Sequence, residues 1–493
     1  MSKKVLVIGS GFSSISAASY LAKAGFEVTV IEKNSSPGGR ARKFESHGYT
    51  FDMGPSWYWM PEIFEEFYNN FNKTAADFYD LKRLSPSYAV YFGNGEELLI
   101  PSDYKELCEL FESIEEGAGS KLDKFLKEAE YKYRVGVDNM MRKPGASIAE
   151  FMDMSIIPAL FRLDLFQTID KHIRKHFTND KLIRLLEFPV LFLGTMPKNT
   201  PALYSLMNYA DMALGTWYPQ GGMFKIVEAM VQIAQSQGVQ FEYGHAVESI
   251  VVKNGKVAGL KTSSKEYAAD WVVAGSDYAH TEQSLLPKEY RTYTPEYWKK
   301  RVMAPSSLLF YLGIKKSLPK LLHHTLFFDE DFGPHASEIY ETPKWPEKPL
   351  FYVSRTTASD STVAPEGCEN IFLLMPVAPD LHDDEVAREK YYHVMMKRLE
   401  KYCGEEILPF VEYKRSYAHS NFIKDYNAFK GNAYGLANTL LQTANLKPSM
   451  KSKKVGNLFY CGQLTVPGPG VPPAIISGKI VAEQIIKQHK KHS

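Results

Sequence analysis

Val5-Leu6-Val7-Ile8-Gly9-Ser10-Gly11-Phe12-Ser13-Ser14 opens the decisive stretch of this sequence, and Val28-Thr29-Val30-Ile31-Glu32 closes it. Four consecutive apolar residues predict a strand buried on both faces, as in a parallel sheet. Gly9-Ser10-Gly11 breaks the run, and Ala17, Ala18, Leu21 and Ala22 supply the packed face of a helix that ends at Gly25. Strand, glycine turn, helix and second strand are the start of a doubly wound α/β sheet, a Rossmann-type fold that holds a dinucleotide. The first glycine permits the tight turn, and the second lets backbone approach a pyrophosphate. Free N–H groups and the helix dipole then favour its charge. The candidate cradle is Gly9, Ser10, Gly11, Phe12, Ser13 and Ser14, with Ser14 standing where Gly or Ala is usual. Glu32 has the spacing to accept hydrogen bonds from a ribose, and Lys33 follows it. An acid here disfavours a 2′-phosphate.

The same alternation of elements returns twice. Met223 to Gln235 has helical spacing, and Val239–Tyr243, Ser249–Val252 and Val257–Leu260 follow as short strands, with Asn254-Gly255 as a hairpin turn. Trp271-Val272-Val273-Ala274 is another buried strand ending at a glycine. Near the C-terminus, Leu458 to Gly462 predicts a strand and Ala474 to Lys487 a helix. The stretches between are rich in aromatics, Met and Pro. The expected organisation is a discontinuous nucleotide domain (1–80, 215–300 and 420–493) with an α+β substrate domain inserted as 81–214 and 301–419.

Two glycine-rich segments carry a family resemblance. Ser36-Pro37-Gly38-Gly39-Arg40-Ala41 resembles the second glycine motif of the amine oxidase and phytoene desaturase flavoprotein superfamily. Gly462, then Pro467-Gly468-Pro469-Gly470-Val471-Pro472 and a small-residue helix, resembles the C-terminal signature of bacterial and fungal phytoene desaturases. Pro473 departs from it, standing where that family more often has Gly. Supporting segments are Phe51 to Trp57, Gly215 to Met223, His323-His324-Thr325, Ala364 to Gly367 and Asn427 to Ala433. The resemblance implies FAD as cofactor. It adds Gly39, Arg40, Gly54, Pro55, Ser56, Val247, Gly462, Gly470, Val471 and Pro472 to the cofactor-binding set. It also implies desaturation of an acyclic carotenoid, phytoene first, with a hydride passing to flavin N5 and a proton leaving the adjacent carbon. The cofactor carries the difficult step, while the protein aligns a C–H bond and excludes water.

Composition sets the limits. Aromatics make up 13% of the chain, which suits either a Phe/Tyr-rich core or a long apolar cavity. A net charge of +1 excludes nucleic-acid binding as the main task. Cys108, Cys368, Cys403 and Cys461 are scattered, which excludes a Cys-rich zinc site and suits a reducing cytoplasm. Adjacent histidines on a strand point to opposite faces, so His323 and His324 predict no metal site. The resemblance places charged groups near the substrate in the segment that holds Glu150 and Asp153, weak acid/base candidates whose other reading is solvated helix. Trp217 and Tyr218 are candidates for the substrate tunnel or for plain core. No apolar run is long enough to span a bilayer. Leu165, Phe166, Ile169, Ile173 and Phe177 share one helical face opposite Lys171, Arg174 and Lys175, the pattern of a helix lying in a membrane surface or packed on a core. The expectation is a cytoplasmic protein peripherally bound to a membrane. The alternatives are a later-step desaturase, a polyene isomerase, a flavin amine oxidase, or a lipid-binding relative without catalysis.

Overall fold

The computed structural model describes residues 3–147, 150 and 167–491. Strand β1 (Lys4–Ile8), helix α1 (Phe12–Lys23) and strand β2 (Glu27–Glu32) follow the pattern of apolar residues. β1 lies in the middle of a five-stranded sheet and pairs parallel with β2 on one side and Trp271–Ala274 on the other. Leu458–Tyr460 and Gln240–Tyr243 complete the edges, again parallel. A strand sandwiched this way has no solvent face, which is why Val5 to Ile8 alternate with nothing polar. All five strands fall within 1–80, 215–300 and 420–493.

The C-terminal helix, Val471–Lys490, packs directly on α1. Gly478 makes this possible. A Cβ there would stand 2.2 Å from the Ser13 carbonyl oxygen and 2.8 Å from the Ala17 nitrogen. Ser16 Oγ donates to the Ile475 carbonyl at 2.8 Å across the same contact. The two chain ends are thereby fastened together beside the glycine turn.

A second, seven-stranded sheet is built from the inserted segments. Its spatial order is Val411–Tyr417, Ser306–Ile314, Glu369–Val377, Phe351–Arg355, His324–Phe327, Tyr88–Gly93 and Glu96–Ile100. Ser306–Ile314 is buried at every position, because its two faces serve two different cores. Leu308, Phe310 and Leu312, with Leu373 and Met375, pack on the helix Glu385–Cys403 through Tyr391, Met395 and Leu399. The alternate residues point the other way, as the period of two requires. Register then sets Leu309, Leu374, Tyr352 and Leu326 side by side in one row across four strands. All four line the cavity described below.

Of the two readings of the amphipathic residues at 165–177, the described part takes the second. Leu165 and Phe166 lie outside the described residues. Ile169, Ile173 and Phe177 are buried, and the Phe177 ring meets Phe111 at 5.7 Å and Phe125 at 6.1 Å. That part of the apolar face is core. Amphipathicity alone does not distinguish a protein interior from a membrane surface, since both present the helix with the same apolar phase. Among the described residues no helix is long and apolar enough to cross a membrane.

Candidate flavin and substrate site

One continuous cavity of about 600 Å³ runs from the C-terminal ends of the parallel strands to the inner face of the seven-stranded sheet. Its first part is the glycine turn. Gly9, Ser10, Gly11, Phe12 and Ser13 line it, as do Glu32, Lys33, Gly39, Arg40, Gly54, Pro55, Ser56 and Val247. Gly462, Gly470, Val471 and Pro472 close it from the other chain end. Residues 450 positions apart meet here because α1 and the C-terminal helix are in contact. Ser14 does not reach the cavity. It is buried beneath Gly275, where a Cβ would lie 1.9 Å from its Oγ. Its small size serves strand–helix packing rather than ligand contact.

Several features fit a flavin dinucleotide. Gly11 is the N-cap of α1 and a Cβ on it would meet nothing within 4 Å, so the helix N-terminus faces open space of the kind an anion fills. Arg40 is half-buried in the cavity wall, and its buried Nε has no hydrogen-bond partner among the described residues. Its guanidinium lies 5.3 Å from the centre of the Tyr426 ring and donates weakly, at 3.4 Å, to the Asn432 carbonyl. Burial lowers its pKa, offset in part by Asp277. A half-buried cation in the cavity wall with spare donors is what a phosphate needs. Glu32 is already engaged. One oxygen accepts from Ser10 N and Oγ, both at 2.8 Å, and the other from Asn34 N and Nδ2 at 2.8 and 2.9 Å. The two backbone bonds shape the loop, and the two side-chain bonds are the ones a ribose diol can replace.

Gly54 shows why the second glycine motif and the Phe51–Pro55 segment belong together. A Cβ on Gly54 would stand 2.2 Å from the Arg40 carbonyl oxygen. Asp52, just before it, accepts from Met223 N at 2.7 Å and Phe224 N at 2.9 Å, capping the helix Phe224–Ser236. Burial pushes this carboxyl up to about 6. Three stretches far apart in sequence are thus held in one wall.

Sequence reasoning missed part of this wall. Gly275, Ser276 and Asp277, at the end of the strand Trp271–Ala274, line the cavity, as do Asp425, Tyr426 and Gln463. The first group had a usable signal: a buried parallel strand running into a glycine repeats the β1 pattern. Asp425 and Tyr426, at the end of the helix His419–Tyr426, had none, because long-range contacts bring that helix end to the cavity, whereas Gln463 directly follows Gly462 in the C-terminal segment.

The second part of the cavity is aromatic and aliphatic. Trp57, Trp59, Phe188, Phe328, Phe332, Tyr340, Tyr352 and Phe372 line it with Leu206, Leu309, Leu326, Leu350 and Leu374. Trp217 and Tyr218 do not. Tyr218 Oη donates to Asp360 at 3.2 Å, and Trp217 Nε1 to the Leu214 carbonyl at 2.9 Å. Both belong to the strand Trp217–Pro219, which pairs with Leu81–Arg83, and as neighbours on a strand they point to opposite faces, each held by its own partner outside the cavity. Glu150 is also outside the cavity wall. Its carboxylate accepts from Ala146 N in its own loop, and its carbonyl accepts from Lys143 Nζ at 2.7 Å. Asp153 lies outside the described residues.

His323 and His324 take structural partners on different sides. His323 bonds Ser359 Oγ at 2.9 Å and packs on Tyr218, while His324 bonds Tyr352 Oη at 2.6 Å and stacks on Trp57. Among the described residues one other group has metal-ligand types, Glu128, His172 and His176, with ligand atoms within 4.8 Å of one another. The Lys132 ammonium lies 3.5 Å from His172 Nε2 and already supplies the positive charge there.

The family model of the flavin containing amine oxidoreductases matches residues 13–486. The chain belongs to that family. FAD is its cofactor, and it is an oxidoreductase. A carotenoid 3,4-desaturase of Haloarcula japonica is 37% identical over 98% of this chain and 98% of its own length. A zeta-carotene-forming phytoene desaturase of Myxococcus xanthus is 29% identical over 98% and 94%. Among solved structures, an oxidoreductase from Methanosarcina mazei superposes with a TM-score of 0.63 over 97% of this chain and 100% of its own, at 18% identity. That likeness concerns the fold.

Proposed function

We propose that this flavoprotein desaturates an acyclic carotenoid. The observation that carries the reading is the second part of the cavity. It is a slot walled by Trp, Phe, Tyr and Leu that joins the glycine turn without a polar partition. Such a slot suits a hydrocarbon chain and offers a small polar amine little. Relatives named as carotenoid and phytoene desaturases, similar along nearly their full lengths, support it.

Bound FAD supplies hydride acceptance. The chain's own residues would do the rest. Gly9 to Ser13, Glu32 and Arg40 would hold the dinucleotide, and the Val471 N–H, at the start of a helix whose next two residues are prolines without N–H groups, favours negative charge on a reduced flavin together with the helix dipole. The row Leu309, Leu374, Tyr352 and Leu326 would lay the polyene flat along the sheet and keep water out.

Phytoene and a later, partly conjugated polyene are both accommodated by this account. The identity to a 3,4-desaturase favours the later step, and the M. xanthus relative favours the earlier one. Incubating the protein with liposomes that carry phytoene, and separately a pre-conjugated acyclic polyene, distinguishes them by absorption spectrum. A red shift from phytoene identifies the early step. A shift only from the conjugated polyene identifies the later one, and none from either refutes the desaturase.

The substrate class requires access from lipid, and we assign peripheral membrane contact to a face other than the buried residues at 169–177. Leu441 is 79% exposed, Leu446 48% and Val302 49%. Gln442 ties this group together, accepting from Val302 N at 3.0 Å and donating to its carbonyl at 2.8 Å. Thr443 and Ala444, within the same turn, line the cavity, and the exposed Lys299 and Lys300 flank Val302. Exposed apolar residues beside two lysines, in a turn that reaches the cavity, suit a bilayer surface.

A further inference from the structure

The substrate proton needs an acceptor, and Glu150 does not face the cavity. Tyr352 does. It stands in the apolar row of the slot, and its hydroxyl is the polar group of that row. His324 lies one diagonal step away on the neighbouring strand, opposite Ser354, so both side chains share the cavity face of the sheet. The imidazole Nδ1 is 2.6 Å from Tyr352 Oη. The ring is clamped against Trp57, a cavity residue, with centroids 4.1 Å apart and planes 11° from parallel. Its Nε2 is buried without a hydrogen-bond partner among the described residues. This is a histidine with its single polar contact aimed, through one hydroxyl, at the substrate slot.

We infer that Tyr352 and His324 form a relay that accepts the proton released in desaturation. The inference rests on the desaturase reading. Loss of a hydride from an allylic carbon to oxidised FAD leaves a delocalised cation, and a C–H bond on the adjacent carbon becomes strongly acidic. That bond breaks and its electron pair becomes the new double bond. The proton passes to Tyr352 Oη as the tyrosine's own proton moves to His324 Nδ1. The substrate loses one hydride and one proton, FAD gains the hydride, and the imidazole gains the proton.

The environment suits a weak, reversible base. Burial, with His323 adding to it, holds the His324 imidazole well below the usual histidine range, so it is neutral before reaction. Burial likewise raises the Tyr352 phenol, which therefore stays protonated and acts as a conduit. A cation is acidic enough to protonate such a base. A base this weak then returns the proton through the same hydroxyl when product leaves and water enters.

The test uses the FAD-loaded protein and phytoene, or whichever polyene the wild type desaturates, under anaerobic conditions. Flavin bleaching is followed in wild type, Tyr352→Phe and His324→Phe, the last keeping the stack on Trp57. The cation takes its hydride back unless the proton leaves, so each variant should slow net bleaching at saturating substrate by about 100-fold, while FAD content and substrate Kd stay within about twofold. Substrate deuterated at the carbon that loses the proton should show a larger isotope effect in the variants than in wild type. Bleaching at the wild-type rate in Tyr352→Phe overturns the relay. So does slower bleaching with an unchanged isotope effect at that carbon, which marks a packing role. If wild type bleaches with no acyclic polyene, the desaturase reading itself falls and takes the relay with it.

Discussion

Buried polar side chains carry most of the information at the level of single residues, because each needs a reason to be where it is. Asp52 has one in the helix it caps, and Glu32 in the loop it braces. Lys447 has none among the described residues. It is buried beside Gly468 and Asn438, and its Nζ makes no hydrogen bond. Burial alone lowers it from 10.5 to about 7. Between those values the unfolded chain holds a proton that the folded protein gives up, so stability rises with pH across that window. Lys447→Met should remove this rise and add at least about 2 kcal/mol at pH 7, measured on the FAD-free protein by denaturant titration at several pH values. A variant that is less stable than wild type at pH 7 would show that the ammonium has a partner in the protein. Which of these residues was legible in advance depended on locality. Glu32 follows from a fixed spacing within one βαβ unit. Tyr352 and His324 are 28 residues apart in sequence and become neighbours only through strand register.

Elements tell a similar story at longer range. The run Val5 to Ile8 is legible because both faces of that strand are buried and no polar residue is tolerated. The amphipathic residues around 169–177 are equally periodic, yet their meaning depends on what the face meets, and here it meets Phe111 and Phe125. Trp217 and Tyr218 sit beside Gly221-Gly222 in sequence, but adjacency to a glycine turn says nothing about side-chain direction. Pairing with Leu81–Arg83 settles that. The contact between α1 and the C-terminal helix offers a direct test. In an exposed helix Gly→Ala stabilises by about 1 kcal/mol. At Gly478 the added methyl would overlap the Ser13 carbonyl and Ala17 nitrogen. Gly478→Ala should therefore destabilise by about 2 kcal/mol or more. By shifting α1 it should also lower FAD retention through gel filtration. Unchanged flavin content and melting temperature would mean the two helices can separate freely.

For the molecule as a whole, the arrangement is a dinucleotide sheet and a substrate sheet sharing one cavity. The first supplies glycine turns and helix N-termini, the second an apolar floor. Lipid access then depends on where that cavity opens relative to exposed apolar side chains. If Val302, Leu441 and Leu446 meet the bilayer, Leu441→Ser combined with Leu446→Ser should cut flotation with anionic liposomes about tenfold, since each buried leucine contributes about 1.5–3 kcal/mol when fully inserted and less at an interface. Activity on polyene delivered in detergent should persist. Flotation equal to wild type would move the contact elsewhere.

The sequence by itself determined the dinucleotide half, the order of its strands along the chain, the family and, with it, the flavin. The first two rest on local patterns, periodicity of two or 3.6, a glycine where backbone must approach a phosphate and an acid one strand later, and the family and flavin rest on the resemblance of Gly38-Gly39-Arg40 and Pro467 to Pro472 to that family's motifs. Only the tertiary structure decided which side chains wall the slot. Leu309, Leu374, Tyr352 and Leu326 share a row because four strands pair in one register, and a slip of one residue would turn every one of them to the opposite face. Register is a property of pairs of strands, set by packing on both faces at once, and no single segment contains it.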